Sequence, residues 1–301
     1  MNSSKFKAWI HAARPRTLPL AFSSSLLGSF VAWHDGRFKW IVLGMALLTT
    51  LFLQVLSNLA NDYGDSVNGA DNSERVGPRR SVQSGAISLQ EMKIAVILVA
   101  LLALASGIVL IGSGIGFYWS DGWLAFLLLG IAALASAITY TAGSKPYGYI
   151  GLGDLFVFLF FGLTGVLGTY FLHSSSLRPD LLLPATASGL LSTAVLNLNN
   201  MRDVNGDALS GKRTLVVIMG SAKAKIYHAA LVGGAVVSLV IWSLLHYNTP
   251  LQFLFLIVGV FFVQHLVFVF RNQIPAELDP HLKKLALATF GTVILFGIAL
   301  I

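Results

Sequence analysis

From residue 18 onward the chain is a succession of apolar runs, each close to the length that carries an α-helix across a bilayer. They lie near 18–34, 40–60, 94–116, 123–141, 152–172, 181–201, 228–246, 251–270 and 284–301. A hydrocarbon core of about 30 Å takes about 20 helical residues, and only helices and closed barrels satisfy their backbone within it. Of the 301 residues, 55% are hydrophobic and 11% are charged, where a soluble domain carries about 25% charged residues. The mean hydropathy is +0.76, more apolar surface than one soluble core can hide. The pattern predicts an all-α membrane protein, a single integral-membrane domain over 1–301 with nine transmembrane helices.

Composition also narrows the chemistry. The chain has no cysteine, which removes disulfides, thiolate nucleophiles, cysteine-ligated zinc and iron–sulfur clusters. The net charge is +7, but no basic-aromatic tract accompanies it, so the charge reads as membrane orientation and no nucleic acid is expected as a partner. The first run follows Lys5, Lys7, Arg14 and Arg16, as the apolar stretch of a signal peptide would. Another span begins within a few residues, so it is read as the first membrane helix. With the N-terminus in the cytoplasm, all of the 20 lysines and arginines except Arg37, Lys39 and Arg178 fall on the inner side. The positive-inside rule therefore predicts a multi-pass protein of the bacterial inner membrane, with a cytoplasmic N-terminus and the C-terminus outside.

Two polar stretches stand where a membrane helix meets water, both on the predicted cytoplasmic side. The first, 58–71, reads Asn58-Leu59-Ala60-Asn61-Asp62-Tyr63-Gly64-Asp65-Ser66-Val67-Asn68-Gly69-Ala70-Asp71; the second, 199–207, reads Asn199-Asn200-Met201-Arg202-Asp203-Val204-Asn205-Gly206-Asp207. Ionisable groups at membrane depth are costly, which makes them functional candidates. Asn61 and Asp65 are four residues apart, as are Asn199, Asp203 and Asp207; on a helix such residues share a face. Mg²⁺ takes oxygen ligands in octahedral geometry, usually one or two carboxylates plus substrate phosphates. Asp62 with Asp65, and Asp203 with Asp207, are thus candidate Mg²⁺ ligands clamping a diphosphate. Arg75, Arg79 and Arg80 follow the first stretch, and Arg202, Lys212 and Arg213 flank the second, a supply of positive charge for a departing diphosphate. A shift of 138 residues aligns Asn61 with Asn199, Asp62 with Asn200, Asp65 with Asp203 and Gly69 with Asp207. That echo predicts two pseudo-repeated halves that bring the acidic helix ends face to face around a central cavity.

Other readings of these residues exist. A solvated loop whose acids and bases merely pair accounts for either stretch alone, less readily for both. EF-hand spacing and its final Glu are absent. Transporter ion sites usually sit near the bilayer midplane on broken helices, whereas these carboxylates sit at helix ends beside basic residues.

The first stretch resembles the N-D-x-x-D signature of the UbiA superfamily of intramembrane aromatic prenyltransferases, and the second resembles that superfamily's D-x-x-x-D. Gly69 stands where many members carry a third Asp, with Asp71 two residues beyond. Ala13-Arg14-Pro15-Arg16-Thr17-Leu18-Pro19-Leu20-Ala21, Lys145-Pro146-Tyr147-Gly148-Tyr149-Ile150-Gly151-Leu152-Gly153-Asp154 and Gly211-Lys212-Arg213-Thr214-Leu215 resemble its menaquinone-pathway branch. The resemblance implies nine transmembrane helices ringing a central cavity and Mg²⁺ as cofactor. It implies transfer of an all-trans polyprenyl group from polyprenyl diphosphate to 1,4-dihydroxy-2-naphthoate with loss of CO₂, giving demethylmenaquinol and diphosphate. Alternatives are the same chemistry on 4-hydroxybenzoate or homogentisate and, in a different class, an ion-coupled transporter.

On that reading Asp62, Asp65, Asp203 and Asp207 hold metal, Asn61 and Asn199 assist, and Arg79, Arg80 and Lys145 contact phosphate oxygens. Tyr140 or Tyr149 offers an aromatic face to carbocation character at the allylic carbon, and the isoprenoid tail runs along apolar helices toward membrane lipid. Lys145 is equally one more inner basic residue, and the two tyrosines are equally interfacial belt residues. Arg14 and Arg16 suit either the acceptor's carboxylate or a juxtamembrane anchor, and Asp154 either a helix cap or a substrate contact. The seven histidines show no metal-ligand spacing and are read as scattered. Gly162, Gly165 and Gly168, at three-residue steps, predict a stripe of close helix contact.

Overall fold

The computed structural model describes residues 3–69 and 79–301; Asp71 and Arg75 lie outside the described residues. Those described form helices and connecting turns with no β-strand among them. In chain order the helices are α1 (Ser3–Ala13), α2 (Leu18–His34), α3 (Trp40–Val67), α4 (Leu89–Ile115) and α5 (Asp121–Thr139). There follow α6 (Gly153–Ser174), α7 (Pro179–Leu209), α8 (Leu215–Met219), α9 (Ser221–Leu245), α10 (Pro250–Arg271) and α11 (Pro275–Ile298). Local chemistry marks their starts. Ser88 and Glu91 form a reciprocal capping box at α4, Thr249 and Gln252 form another at α10, and prolines open α7, α10 and α11. A proline costs nothing there, because a helix's first N–H has no partner within the helix.

Among the described residues, eight helices are long and apolar enough to cross a membrane, and the protein is a multi-pass membrane protein. The ninth predicted span, 18–34, is α2, whose 17 residues make it shorter than these. It is polar inside the bundle, with Ser23, Ser24, Ser25 and Ser29 buried. Ile94, Ile97, Leu98, Leu101 and Leu102 of α4 are exposed, a surface suited to lipid rather than water. The most enclosed span is α7, where Ala185, Ala187, Ser188, Gly189, Ser192 and Ala194 let neighbouring helices close on it.

The two halves repeat at the level of elements. α3 packs mainly on α4, and α7 packs on both α6 and α9; α3 and α7 carry the first and second acidic stretches at their C-terminal ends. Their far ends are tied together by polar contacts. Tyr170 donates to Asp35 at 2.6 Å, Arg178 pairs with Asp35 and Asp180 at 3.2 Å each, and Trp242 donates to Asp180 at 3.2 Å. Lys39 caps α4 and α6 through the carbonyls of Gly114 (3.0 Å) and Leu172 (3.3 Å). These contacts gather the ends of α2, α4, α6 and α9 with the starts of α3 and α7. Arg37, Lys39 and Arg178 therefore lie at the end of the bundle away from the acidic stretches.

The glycine stripe is corrected in one respect. Residues Phe158–Gly168 of α6 wind as a π-helix, whose wider turn sends three-residue steps to different neighbours. A side chain at Gly162 would meet the α7 backbone at Ala185 and Gly189, one at Gly165 would meet Ser24 of α2, and one at Gly168 meets only a ring atom of Phe126 at 3.6 Å. The histidine reading is corrected too. His228 of α9 lies 2.9 Å from His265 of α10, which lies 3.4 Å from His281 of α11. Helix packing brings together residues that sequence spacing separates. The three form a chain rather than a cage, since His265 faces each neighbour with a different ring nitrogen.

One glycine governs how closely the acidic end of α3 is approached. A Cβ on Gly64 would stand 2.6 Å from the Thr141 carbonyl group, whereas Gly44 of the same helix has open space around it. Gly64→Ala is expected to destabilise the protein by about 1–3 kcal/mol, as overpacking does. Gly44→Ala should be neutral or stabilising by about 0.5–1 kcal/mol. The melting temperatures of the two variants in detergent check this.

Candidate active site

The acidic ends of α3 and α7 open into one cavity of about 670 Å³. Asn61, Asp62 and Asp65 line it from α3, and Asn199, Asn200, Asp203 and Asp207 from α7. Seven lysines and arginines (Lys7, Arg14, Arg16, Arg80, Arg202, Lys212 and Lys283) face four aspartates across it, so the wall is net positive. Leu20, Val157, Phe161, Val195, Leu196 and Ala286 supply an apolar part of the same wall. A polyanion and a hydrocarbon thus find complementary surfaces in one space.

The first cluster is built around two buried carboxylates, Asp62 (1% exposed) and Asp65 (0%). An ionised carboxylate away from water needs charged or hydrogen-bonding partners. Asp62 Oδ1 accepts from the Arg14 guanidinium at 2.5 Å and lies 3.7 Å from Arg80 Nε, while Oδ2 accepts from the Ser81 amide at 3.4 Å. Asp65 Oδ1 accepts from the Tyr149 hydroxyl at 2.6 Å and pairs with Lys212 at 2.8 Å, and Oδ2 pairs with Arg80. Arg80 also donates to the Asn61 backbone carbonyl. The Asn61 side chain accepts from the Thr141 hydroxyl at 3.0 Å. Arg14 reaches Asp62 from a left-handed backbone conformation, φ 50°, sparsely populated for a residue with a Cβ, in the link between α1 and α2.

The second cluster is organised by one arginine. Arg202 is buried (3% exposed) and grips Asp203 with Nε at 2.8 Å and Nη2 at 2.6 Å. It also donates to Asn199 Oδ1 at 2.9 Å and to Asp279, at the start of α11, at 2.5 Å. Such two-pronged guanidinium–carboxylate pairs fix geometry as well as charge. The sequence placed Arg202 among the cations free for phosphate; the structure commits it to holding Asp203 and joining α7 to α11.

Tyr140 lines the cavity against Gly148, where any side chain would collide with its carbonyl and ring, and against Gly153, where one would crowd the ring at 3.0 Å. Burial raises its phenol well above the ordinary range, and neighbouring Tyr147 and the carboxylates of Asp207, Asp154 and Asp65 push the same way. It stays a neutral hydrogen-bond donor at any physiological pH. Arg79 and Lys145 are exposed and do not line the cavity. Asp154 is buried (6%) and does not line the cavity. Sequence reasoning passed over the role of Lys212 on Asp65, of Arg14 on Asp62, and of Asp279 altogether. The Gly211-Lys212-Arg213-Thr214-Leu215 stretch was the available signal for the first.

The donors offered to a metal are carboxylate and amide oxygens, which suit a hard divalent cation. No group of three or more His, Asp or Glu among the described residues forms a cage. The arrangement fits an ion that takes one or two carboxylates here and its other ligands from water and phosphate.

A helical membrane bundle whose paired motif helices end in one cavity, acidic and net cationic beside an apolar wall, is the architecture of an intramembrane prenyltransferase. The chain belongs to the UbiA prenyltransferase family, whose pattern matches residues 21–299. It is 44% identical to a 1,4-dihydroxy-2-naphthoate octaprenyltransferase of Escherichia coli over 97% of this chain and 94% of that one. It is likewise 44% identical to one of Haemophilus influenzae over 100% and 98%, and 38% identical to one of Mycobacterium tuberculosis over 77% and 76%. The fold matches an apo UbiA homolog from Aeropyrum pernix (TM-score 0.64, 19% identity, 93% of this chain and 96% of that). It also matches a UbiA homolog from Archaeoglobus fulgidus bound to DMAPP and Mg²⁺ (TM-score 0.62, 17% identity, 97% and 98%).

Removing the Arg202 guanidinium leaves Asp203 and Asp279 facing each other without their shared cation. Arg202→Met is expected to cost about 3–5 kcal/mol, the usual penalty for breaking a buried pair from one side. Asp279→Asn, which leaves the Asp203 grip intact, should cost clearly less. Thermal unfolding of both variants in detergent checks the order.

Proposed function

We propose that this protein transfers an all-trans polyprenyl group from polyprenyl diphosphate to 1,4-dihydroxy-2-naphthoate, releasing CO₂ and diphosphate and giving demethylmenaquinol. The observation that carries the reading is the single cavity into which both acidic helix ends project among seven cations, beside an apolar wall. The naphthoate octaprenyltransferases to which the chain is 44% identical support the acceptor and the donor class. The whole chain, 1–301, acts as one integral-membrane domain.

Asp62 and Asp65 on one side, and Asp203 and Asp207 on the other, are the residues proposed to hold Mg²⁺, with Asn61 and Asn199 beside them. The A. fulgidus homolog solved with DMAPP and Mg²⁺ supports Mg²⁺ as the ion. When bound, Mg²⁺ neutralises charge on the diphosphate as its bond to the allylic carbon weakens. Arg80 does part of the same work with no reorganisation, because Asn61, Asp62 and Asp65 already fix its guanidinium. Arg79 and Lys145 stand outside the cavity wall, so phosphate contact is assigned to cations that line it. The neutral Tyr140 ring presents a π face to positive charge developing at the allylic carbon. The acceptor ring supplies the electron pair for the new C–C bond, the pair of the broken C–O bond leaves with the diphosphate, and the pair of the ring–carboxylate bond returns to the ring as CO₂ departs. Val157, Phe161 and Val195 give the isoprenoid an apolar path.

The acidic end of the bundle is proposed to face the cytoplasm of a bacterial inner membrane. Support comes from the basic residues gathered at that end, with Arg37, Lys39 and Arg178 at the other. The chain has no cysteine, so a single introduced thiol reports its side cleanly. Ser176→Cys should react with a membrane-impermeant maleimide in intact cells, and Ser84→Cys only after lysis.

Purified protein supplied with Mg²⁺ and a polyprenyl diphosphate should prenylate 1,4-dihydroxy-2-naphthoate and not 4-hydroxybenzoate, and EDTA should abolish the product. Asp62→Asn and Asp203→Asn should each lower turnover by at least about 10²-fold, the scale of losing a charge-stabilising group in an enclosed site. Product from 4-hydroxybenzoate alone would overturn the acceptor, and full activity in a folded Asp62→Asn protein would overturn the metal assignment.

A further inference from the structure

Lys212 touches both acidic motifs at once. Its backbone N–H donates to the Asp207 carbonyl at 2.8 Å, which anchors it to the second motif just beyond the end of α7. Its ammonium crosses the cavity to the first motif, 2.8 Å from Asp65 Oδ1 and 4.8 Å over the Tyr149 ring. The Tyr149 hydroxyl donates to that same oxygen at 2.6 Å, and Arg80 holds Oδ2. All of the Asp65 carboxylate therefore has a cation or donor on it. With Tyr149 and Lys212 both on Oδ1, a divalent ion at that oxygen finds its lone pairs engaged and is repelled by the adjacent ammonium.

The three groups on Asp65 differ in freedom. Arg80 is bound to Asn61, Asp62 and Asp65 together and has no single partner to exchange. Tyr149 is a neutral donor. Lys212 carries a point charge on a flexible four-carbon stem with rotatable donors, follows Gly211 in a left-handed turn (φ 77°), and lines the cavity where an anionic substrate sits.

Resting on the function proposed above, we infer that Lys212 and a divalent cation compete for Asp65, and that the ammonium transfers from the carboxylate to a diphosphate oxygen as metal and diphosphate bind. Lys212 then opposes metal binding by itself and favours it with diphosphate, which couples the two ligands. Coupling of this kind is reciprocal, each ligand strengthening the other by one factor. A side chain that merely braced the loop would affect both bindings in the same direction.

The test is a Mn²⁺ titration of the purified full-length protein in detergent, read from the electron paramagnetic resonance of free Mn²⁺, with and without inorganic diphosphate. Lys212→Met should bind Mn²⁺ alone about 5-fold or more tightly than the unaltered protein, and Mn²⁺ with diphosphate about 5-fold or more weakly, a coupling of ordinary allosteric size. Lys212→Arg, which keeps the charge, should show no tightening toward Mn²⁺ alone, and Lys212→Gln carries the same test should Lys212→Met not be recovered folded. Unchanged or weaker binding of Mn²⁺ alone by the neutral variants overturns the exchange while leaving the proposed function standing. No Mn²⁺ binding by the unaltered protein under either condition overturns the proposed metal site and the exchange together.

Discussion

Two ionised carboxylates buried at the end of a membrane helix impose the condition that the rest of the cavity answers. Asp62 and Asp65 need cations, and α3 carries none within reach on its own last turns. The partners come from separate parts of the chain: Arg14 before α2, Arg80 before α4, Tyr149 before α6 and Lys212 after α7. Each contact pins a connecting segment that would otherwise be loose polar backbone at a membrane surface. The segments so pinned are the cavity's walls. Electrostatic need at one helix end thus shapes the pocket in which a charged substrate is handled.

The second half meets the same need differently. The 138-residue sequence echo places Arg202 at the position equivalent to Gly64. On α3 the absent side chain lets Thr141 close onto the helix, and the cations arrive from elsewhere. On α7 the cation is in the helix itself, and Arg202 binds Asn199, Asp203 and Asp279 at once. The two acidic helix ends therefore line one cavity and differ in their electrostatics. The first cluster is assembled from several segments, one of them the Lys212 turn beyond the second motif. The second is braced by a buried arginine fork against α11.

Much of this was readable from residue order. Apolar run length and charge placement marked the membrane helices because hydrocarbon admits only a backbone that satisfies itself. The four-residue spacing of Asn61 with Asp65, and of Asn199, Asp203 and Asp207, put those groups on shared faces because an α-helix repeats every 3.6 residues. Both stretches line one cavity. Selection among the basic residues was not readable. Arg79 and Arg80 are neighbours in sequence, yet Arg79 is exposed and Arg80 is 7% exposed between two aspartates. Lys145 is exposed and does not line the cavity, while Lys212, with no more suggestive a local context, bridges it. The chain of His228, His265 and His281 was equally hidden, because its members sit on three helices whose packing no spacing rule encodes.

The sequence by itself determined that this chain is a helical membrane protein with two acidic helix ends, since helix length, periodicity and the cost of charge in hydrocarbon are local properties. Only the tertiary structure decided which cation serves which carboxylate, that Arg202 braces Asp203 against Asp279, and that Lys212 touches both motifs. Those outcomes depend on side chains meeting across helices and loops far apart in sequence, and they follow from packing rather than from spacing.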